Sequence, residues 1–534
     1  MSVVALSHVG WRLPGGDELL RDVSFVVRDG ERAALVGANG VGKSTLLSLV
    51  VGDLAVTSGT LTVNGRVGVM RQFVGVGAQP GQTVRDLIVS LAPASIRAAA
   101  DRLRRAESDA VTDPMGYANA LASWGDAGGY AVEVHWDECV TRAIGKSLDD
   151  VSQRPLRTLS GGEQKRLALE VLLRGDADIL VLDEPDNFLD VEAKRWLERE
   201  LTNARQTILY VSHDRQLLAA TATKIVTVEA EGTWTHGGNF AGYAAARRNH
   251  LDQVARDRTA YDNERKHLEA LVAEMRRRAK MSEIFAPKLK AAESRLRLFV
   301  ERAQRPLEVR EQRINMRLGG ARTGKRALVT AGLELDGLTD PFDLEIDFGD
   351  RVAVLGGNGA GKSHFLRLVG GDESVAHRGA LRLGSGVVTG LFHQTHEHPE
   401  WTGRTLLEIL HDHDVVRGPA MSMLRRYEID GCADQPFETM SGGQQARFQI
   451  LLLERSGATL LLLDEPTDNL DLVSAEALEA GLAEFSGTVL AVTHDRWFLR
   501  GFDRFVVFGA DCSVTDHLAV PANWATDAQH AAGS

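Results

Sequence analysis

Leu159-Ser160-Gly161-Gly162-Glu163-Gln164 opens the stretch of sequence that decides the fold, and Ser212-His213-Asp214 ends it. Between them an apolar run, Ile179 to Leu182, leads into Asp183-Glu184-Pro185. The block recurs in the second half of the chain as Met440-Ser441-Gly442-Gly443, Leu460 to Leu463, Asp464-Glu465-Pro466 and Thr493-His494-Asp495. Ser160 and His213 are 53 positions apart, and so are Ser441 and His494. A repeat of constant length indicates two copies of one functional unit.

A phosphate-binding loop precedes the block in each half. In the first half the residues from Gly37 to Thr45, GANGVGKST, match G-x-x-x-x-G-K-[ST] between an apolar strand, Ala33 to Val36, and a helix, Leu46 to Val50. Backbone N–H groups of such a loop face phosphate oxygens, and the helix N-terminus adds positive potential. We therefore expect ATP, with Lys43 at the β- and γ-phosphates and Ser44 on Mg²⁺. The predicted contacts are Gly37, Asn39, Gly40, Gly42, Lys43, Ser44 and Thr45.

The second loop differs from the first in one hydroxyl. Its predicted contacts are Gly356, Asn358, Gly359, Gly361, Lys362, Ser363 and His364, and the histidine replaces a threonine. Trp11 lies about 25 residues before the first loop and is interpreted equally well as a half-buried strand aromatic or as a flat surface for adenine. No aromatic residue clearly matches it in the second half. These differences allow unequal hydrolysis rates at the two sites.

Each apolar run of the repeated block ends in two carboxylates. Such a run is typical of a buried strand, so Asp183 and Glu184 are expected beside the first loop, and Asp464 and Glu465 beside the second. The aspartates would hold Mg²⁺ through water. The glutamates would polarise the attacking water, a role worth roughly 10²–10⁴-fold in rate. Because both copies keep these carboxylates, we expect both sites to be active.

Two further side chains recur at matching places. His213 and His494 each close the next apolar strand and are predicted to contact the γ-phosphate. A lone histidine would be interpreted as structural, but the equal spacing in both copies favours function. Gln72 and Gln394 lie where a chain leaving a sheet edge could reach the metal, so both are candidate Mg²⁺ ligands.

Length and composition indicate a globular protein of several domains. The chain has 534 residues, 44% of them apolar and 25% charged, which predicts roughly three or more domains. No apolar run approaches the ~18 residues of a membrane span, and no signal peptide is visible at the N-terminus. Cys139, Cys432 and Cys512 are far apart, which favours a cytoplasmic location and argues against a zinc or iron–sulfur module.

The charge is distributed unevenly along the chain. The net charge is −12, but residues 240–325 contain 21 Lys and Arg against 11 Asp and Glu, a net +10. A basic segment inside an acidic protein indicates an anionic partner such as nucleic acid. The alternative interpretation is a solvated helix face without a partner.

The order of these motifs resembles that of an ATP-binding cassette nucleotide-binding domain. The resemblance covers nearly all of residues 1–239 and 326–518. In that family two cassettes pair head to tail and sandwich two ATP molecules. The resemblance implies that site one joins Lys43, Asp183 and Glu184 to Ser441, Gly442 and Gly443. Site two then joins Lys362, Asp464 and Glu465 to Ser160, Gly161 and Gly162.

The two halves are separated by a predicted helical hairpin, and the first carries an insertion. From Gln72 to Ser160 is 88 positions, but from Gln394 to Ser441 only 47, so the first half carries 41 extra residues. Apolar residues repeat every seven positions between Tyr243 and Met281, and again after Pro287. This pattern predicts two antiparallel helices joined near Ser282 to Pro287, with a first helix on the order of 55–60 Å long.

The tip of this hairpin has the composition of an RNA-binding surface. Basic residues suit phosphates and apolar residues suit bases. The candidate contacts are Arg276, Arg277, Arg278, Lys280, Met281, Ile284, Phe285, Lys288 and Lys290.

Paired cassettes without a membrane segment, joined by a basic hairpin, resemble the F subfamily of ATP-binding cassette proteins. That subfamily binds the ribosome at the tRNA exit site, and its linker reaches toward the peptidyl-transferase centre and P-site tRNA. Some members regulate translation, and others dislodge antibiotics and confer resistance. The resemblance therefore implies ribosomal RNA and tRNA as partners and no membrane partner.

The predicted fold is α/β, with two tandem ATP-binding cassette domains joined by an antiparallel helical hairpin. The predicted segments are a first cassette at 1–239 with a helical insertion at about 83–158, a linker at 240–325, a second cassette at 326–520 and a disordered tail at 521–534. Because the cassettes pair within one chain, we expect a monomer. The alternative function is the ATPase subunit of an exporter, against which the basic hairpin argues. A DNA-repair ATPase would need zinc-binding cysteines and a longer coiled coil.

Overall fold

The computed structural model describes residues 2–71, 81–108, 111–229, 232–302, 314–319, 324–393, 398–522 and 524. The predicted ligands Gln72 and Gln394 lie outside the described residues.

The first cassette contains nine strands and nine helices within the described ranges. The strands are β1 (Val3–Arg12), β2 (Glu18–Val27), β3 (Arg32–Val36), β4 (Ser58–Asn64), β5 (Val67–Met70), β6 (Ile179–Asp183), β7 (Thr207–Val211), β8 (Lys224–Glu229) and β9 (Gly232–Gly237). The helices are α1 (Lys43–Val51), α2 (Val84–Leu91), α3 (Ala94–Ser108), α4 (Pro114–Asp126), α5 (Gly129–Ile144), α6 (Leu148–Val151), α7 (Gly161–Arg174), α8 (Val191–Asn203) and α9 (Arg215–Thr221). Strands β1 and β2 form an antiparallel pair.

The strand order explains where the site forms. The main sheet has the order β5-β6-β7-β3-β8-β9, and all its neighbours except β8 and β9 run parallel. Strands β3, β6 and β7 lie next to one another, so the phosphate loop, Asp183 and His213 all follow the carboxyl ends of neighbouring strands. This edge is where parallel α/β sheets bind ligands. A second sheet, β2-β1-β4, packs on the first.

The second cassette repeats this order with fewer helices. Its strands are β10 (Arg326–Leu335), β11 (Phe342–Asp347), β12 (Arg351–Gly356), β13 (His377–Leu383), β14 (Thr389–Phe392), β15 (Leu460–Asp464), β16 (Thr488–Val492), β17 (Arg504–Phe508) and β18 (Val514–His517). Its helices are α12 (Lys362–Val369), α13 (Leu406–Asp412), α14 (Arg417–Arg426), α15 (Gly442–Arg455) and α16 (Leu472–Glu484), numbered after the two linker helices. The sheets have the orders β14-β15-β16-β12-β17-β18 and β11-β10-β13, so the sequence repeat is also a repeat of topology.

The linker is a long helical hairpin, as the heptad pattern predicts. Helix α10 (Tyr243–Met281) has 39 residues, which corresponds to about 58 Å at about 1.5 Å per residue. Helix α11 (Ala286–Arg302) returns along it, and the rings of Tyr261 and Phe299 stack with centroids 5.0 Å apart. Leu268, one of the apolar residues at the seven-residue spacing, is 1% exposed, so the helices are packed together at this point. We call α10 and α11 together the rod.

Both cassettes support the first turn of the rod. The rings of Phe240 and Tyr243 stack in the core of the first cassette, with centroids 5.4 Å apart. Trp497 of the second cassette meets Phe240 edge to face, with centroids 6.2 Å apart and an interplanar angle of 83°. The guanidinium of Arg500 lies 3.8 Å from the centre of the Trp497 ring.

The structure differs from the predicted disordered tail at one residue. Trp524 is 6% exposed and packs against Val191 of the first cassette and Leu355 of the second. Its ring also stacks on His494, with centroids 5.6 Å apart. The surrounding residues are small and polar, but one aromatic ring removes enough apolar surface from water to hold the chain locally. Residues 523 and 525–534 lie outside the described ranges.

Candidate functional site

The first phosphate loop connects β3 to α1 in the predicted setting. Gly42 has φ 103°, a left-handed conformation that favours glycine, and an added Cβ would come within 2.8 Å of Leu20. The Nζ of Lys43 donates to the carbonyls of Gly37 and Ala38 at 2.9 and 3.0 Å. In the second loop the Nζ of Lys362 donates to the carbonyls of Gly356 and Gly357 at 2.8 Å each. Both lysines are therefore held over their loops, where phosphates bind.

A cavity between the cassettes joins the residues predicted for site one. Its lining includes Asn39, Gly40, residues 42–45, Glu184 and His213 from the first cassette. From the second cassette it includes Ser441, Gly442 and Gly443, at the N-terminus of α15. Gly37, Asp183 and Trp11 are not among the lining residues; Trp11 is half-buried against the core of β1 and β2.

Hydrogen bonds cross the interface at both sites. At site one the backbone nitrogen of Asn39 donates to Oδ2 of Asp471 at 3.1 Å, and its Nδ2 donates to the carbonyl of Asn469 at 2.9 Å. At site two the Nδ2 of Asn358 donates to the carbonyl of Phe188 at 3.3 Å. The asparagine of each phosphate loop thus contacts the segment after Asp-Glu-Pro in the other cassette.

The glycines of the repeated block permit this close approach. A Cβ at Gly443 would lie 2.0 Å from Nδ2 of Asn39 and 2.8 Å from the carbonyl oxygen of Asn469. A Cβ at Gly162 would lie 2.9 Å from the carbonyl oxygen of Phe188 and 3.9 Å from Nδ2 of Asn358. A side chain at Gly443 would therefore collide with the opposite cassette, whereas one at Gly162 would collide with the backbone of its own cassette.

Each site offers one hydroxyl and one buried carboxylate to a hard cation. Asp183 accepts a hydrogen bond from Ser44, and Ser363 donates to Asp464 at 3.1 Å. Oδ1 of Asp183 is buried and has no hydrogen-bond partner among the described residues. Burial, with the nearby charge of Glu184, raises the pKa of Asp183 to about 6.

This arrangement fits Mg²⁺. The ion binds proteins through one or two carboxylates and takes its other ligands from phosphates and water. No group of three or more His, Cys, Asp or Glu that could hold a metal occurs within the described ranges, so the protein alone does not enclose an ion.

The two predicted catalytic glutamates are held differently. The carboxylate of Glu184 accepts from Nδ2 of Asn187 at 2.7 Å, and the residue is half-buried beside the cavity. Glu465 is 5% exposed, and its carboxylate accepts from the backbone N–H of His494 at 2.9 Å. Burial raises the pKa of Glu465 to about 8. The two sites are therefore not equivalent in this structure.

Both predicted histidines are held in neutral form, His494 buried and His213 half-buried at the cavity wall. Burial lowers the pKa of His213 and of His494 well below the usual range, and the charges of Lys43 and Lys362, respectively, act in the same direction. Neither ring nitrogen of His213 has a hydrogen-bond partner in the described part of the chain. A neutral imidazole at the cavity wall can donate or accept one hydrogen bond to a phosphate.

The second loop departs from the first as the sequence indicates. His364 is exposed on the first turn of α12. A Cβ at Gly361 would lie 3.2 Å from Cβ of Leu338, so an aliphatic residue lies beside this loop. Leu19 has the corresponding place beside Gly42 and lines the cavity at site one.

Several cavity residues were missed by the sequence analysis. They are Leu19, Asp186, Asn187, Lys194, Asp214, Thr467, Asp468, Asn469, Leu470 and Asp495. Most of them follow Asp-Glu-Pro or the histidine within a few residues. Their closeness to these motifs in the sequence could have been used to predict them. Lys194 had no such signal, because it reaches the cavity from the first turn of α8, further along the chain.

Two buried arginines connect the cassettes beside the histidines. Arg215 and Arg496, two positions after His213 and His494, are each 3% exposed. Arg215 forms an ion pair with Glu479 of α16, and Arg496 forms one with Glu198 of α8. The two pairs are related by the repeat, so each histidine segment is attached to the opposite cassette.

The tip of the rod presents apolar side chains among cations. Met281 is 88% exposed and Ile284 is 79% exposed. The Phe285 ring lies 5.9 Å from the guanidinium of Arg278 and 5.6 Å from Nζ of Lys288. Arg276 pairs with Glu293 at 2.8 Å. Among the described residues, no carboxylate pairs with Arg277, Lys280 or Lys290, so these cations are available to phosphates.

Comparisons with known proteins agree with this architecture. The family profile described as ABC transporter matches residues 20–187 and 339–468. An "Antibiotic resistance protein" of Mycobacteroides abscessus is 49% identical, over 97% of this chain and 99% of that protein. "ABC transporter F family member 2" of Arabidopsis thaliana is 28% identical, over 94% of this chain and 76% of that protein.

A solved structure has a similar fold. It is the complex of archaeal ribosomal stalk protein aP1 and archaeal ribosome recycling factor aABCE1, with a TM-score of 0.54 and 19% identity, covering 94% of this chain and 87% of that one. Within the described residues, no helix has the length and apolar content needed to span a bilayer.

Proposed function

We propose that this chain, which belongs to the ATP-binding cassette family and to its F subfamily, is an ATPase that binds ribosomes and protects them from antibiotics. The ATPase part of the proposal rests on the cavity in which the first phosphate loop meets Ser441, Gly442 and Gly443 of the second cassette. ATP in that cavity touches both cassettes, so its binding favours the closed state and its hydrolysis removes that preference.

The residues of site one have complementary roles in hydrolysis. Lys43 and the loop N–H groups bind the phosphates from one side, and the N-terminus of α15 with Ser441 faces them from the other. Glu184 orients and polarises the attacking water, and His213 bonds the γ-phosphate. Lys362, Glu465 and His494 have the same roles in site two.

A divalent metal would complete both sites. Ser44 and Asp183 would hold Mg²⁺ in site one, and Ser363 and Asp464 in site two. When bound, the ion neutralises charge on the phosphates.

The rod is the part that reaches RNA. Its tip combines exposed apolar residues with cations that are free to pair with phosphates, which suits unpaired bases and a sugar-phosphate backbone. In the F subfamily the corresponding linker extends toward the peptidyl-transferase centre and P-site tRNA. Both proposed ATP sites take their residues from the two cassettes of one chain, so a monomer is sufficient.

Two names support ribosome protection over other uses of paired cassettes. The M. abscessus relative is named as an antibiotic resistance protein, and the fold neighbour is a ribosome recycling factor. An exporter subunit has no use for a long cationic rod. We therefore prefer protection from antibiotics to translational regulation. The experiment below distinguishes the two functions.

The test separates ribosome binding from resistance. Glu184→Gln combined with Glu465→Gln should retain ATP, keep the cassettes closed and co-sediment with ribosomes in a sucrose gradient. Lys43→Met combined with Lys362→Met, which weakens ATP binding, is the matched control and should stay at the top. If the double Gln variant does not co-sediment with ribosomes in the presence of ATP, the proposal of ribosome binding is contradicted. Minimum inhibitory concentrations of peptidyl-transferase antibiotics in a sensitive host should rise with the wild-type protein and not with either double variant.

A further inference from the structure

The cassettes differ at three buried positions near the catalytic glutamates. The first cassette has Lys165, Asp186 and Lys194, which we call the charged triad, and the second has Ala446, Thr467 and Ala475 at the same distances from its motifs. Lys165 is 0% exposed, Asp186 4% and Lys194 8%. Burying charged groups costs free energy unless each is paired. The triad therefore points to contacts that only the first cassette makes.

Lys165 connects two segments that serve different nucleotide sites. It lies on α7, whose first residues, Ser160 to Gly162, approach the second phosphate loop. Its Nζ donates a 2.6 Å hydrogen bond to the backbone carbonyl of Glu184, and it lies 5.3 Å from the centre of the Phe188 ring. The side chain thus attaches the helix that closes site two to the catalytic segment of site one.

The backbone of Glu184 needs such support. Its φ is 50°, a left-handed conformation that costs free energy for a residue with a side chain. The backbone N–H of Glu184 donates to the carbonyl of Val211 at 3.0 Å, and the carbonyl accepts from the ammonium of Lys165. With both backbone groups held, the direction of the Cα–Cβ bond is fixed, and Asn187 then fixes the carboxylate. A charged donor makes the stronger kind of hydrogen bond.

Site two holds its glutamate in another way. Ala446 offers no donor, and the carbonyl of Glu465 accepts instead from the backbone N–H of Asp468 at 3.2 Å. The carboxylate of Glu465 turns to His494, whose backbone N–H donates at 2.9 Å. Both of these hydrogen bonds to Glu465 come from its own cassette.

Of the other two members of the triad, only Asp186 can offset the charge of Lys165, because Lys194 is itself a cation. The Nζ of Lys194 lies 3.0 Å from Oδ2 of Asp214. Asp186 accepts a hydrogen bond from Ser212, and burial raises its pKa to about 6 against the pull of Lys194 and Lys165. Asp186 also lines the cavity of site one. The charges of Lys165 and Lys194 therefore both act on Asp186.

We propose that Lys165 is a positioning residue for Glu184, so that hydrolysis in site one depends on Lys165 while hydrolysis in site two does not. The inference deepens the proposed function and rests on it, since Glu184 and Glu465 are taken to act on water in their own sites. Lys165 does not touch the nucleotide; it acts by holding the carbonyl of Glu184.

Each site can be assayed alone in single-turnover experiments. Glu465→Gln leaves site one active, and Glu184→Gln leaves site two active. In the Glu465→Gln protein, Lys165→Met keeps the apolar stem and removes the ammonium. We expect it to lower the single-turnover rate constant about tenfold, with the ATP concentration for half-maximal rate changed less than about twofold. In the Glu184→Gln protein the same substitution should change the rate less than about twofold, although α7 faces site two.

A second variant separates positioning from stability. Lys165→Met leaves Asp186 with one cation fewer, so it is expected to lower the melting temperature. Adding Asp186→Thr, the residue of the second cassette, should restore the melting temperature but not the rate of site one. Equal rate losses in both single-site proteins, or recovery of the rate together with the melting temperature, would overturn the inference.

Failure of the inference can be told from failure of the proposed function. If Glu184→Gln does not slow site one in the Glu465→Gln protein, the assigned role of Glu184 is wrong, and the inference falls with it. If both glutamine variants behave as assigned and Lys165→Met leaves site one at full rate, only the inference is overturned.

Discussion

The backbone nitrogen of Asn39 lies 3.1 Å from Oδ2 of Asp471, so the phosphate loop of one cassette is hydrogen-bonded to the other. Asp471 is 1% exposed and also begins α16, because its Oδ1 accepts from the backbone N–H of Ser474 at 2.9 Å. One carboxylate therefore orders a helix of the second cassette and the nucleotide loop of the first.

Replacing this aspartate should impair site one beyond the loss of a helix cap. Asp471→Ala removes both bonds, and Asp190→Ala removes only the matching cap of α8, where Asp190 accepts from Ala193 at 2.9 Å. Each should cost about 1 kcal/mol of stability through the cap. Only Asp471→Ala should slow single-turnover hydrolysis in the Glu465→Gln protein, by about tenfold. Equal rates for the two variants would show that the bond to Asn39 is unimportant.

A methyl group at Gly443 should prevent closure at site one. The added Cβ would overlap Nδ2 of Asn39 at 2.0 Å and approach the carbonyl oxygen of Asn469 at 2.8 Å. Gly442→Ala is the matched control, because its Cβ would meet Asn469 at an ordinary 3.4 Å. We expect Gly443→Ala to lower the ATPase rate at least about tenfold and Gly442→Ala to have a much smaller effect. Similar losses of ATPase rate for the two variants would mean that the close contact at Gly443 relaxes at little cost in free energy.

Neutralising the unpaired cations of the rod tip should weaken ribosome binding. Arg277, Lys280 and Lys290 would each be changed to Gln in one variant. The dependence of the logarithm of affinity on the logarithm of salt concentration should become shallower by roughly 0.7–0.9 for each phosphate that the variant no longer neutralises. Arg265→Gln with Arg297→Gln is the control, since these arginines pair with glutamates on the same rod. Unchanged affinity and salt dependence in the tip variant would remove the rod from the ribosome interface.

The pH dependence of stability should reveal Asp186. Burial raises its pKa in the folded protein from 3.8 to about 6. A raised carboxyl pKa contributes stability below the unfolded value that is lost as pH rises through the folded value. Between pH 4 and pH 6.5 the unfolding free energy of the wild type should therefore fall relative to that of Asp186→Thr, by up to about 1.4 kcal/mol per pH unit. Melting temperatures of both proteins across this range measure the difference. Parallel pH profiles for the variant and the wild type would contradict a buried, ionising Asp186.

Local patterns were sufficient for much of the fold. The phosphate loops and the Asp-Glu pairs lie in short segments whose conformation depends on near neighbours. The limits of α10 at Tyr243 and Met281 follow from a heptad pattern without a glycine or proline to interrupt it. The strand order of each cassette could be expected only through the family resemblance.

Contacts between distant segments could not be predicted in this way. The bond from Lys165 to Glu184 depends on how α7 packs beside β6, and nothing near either residue indicates it. Comparing the two copies does show Lys165 against Ala446, but a charged residue on a helix is ordinarily exposed. Trp524 was missed for a similar reason, because its buried partner Val191 belongs to the first cassette, more than 300 positions earlier in the chain.

The edge-to-face contact between Phe240 and Trp497 has a mechanical consequence. The two rings belong to opposite cassettes, so the N-terminal end of α10 is supported from both sides only while the cassettes are together. If hydrolysis separates the cassettes as proposed, α10 would lose the support of Trp497 and become free to pivot about Phe240 and Tyr243. Such a rod would be rigid on entering a narrow channel and compliant on leaving it.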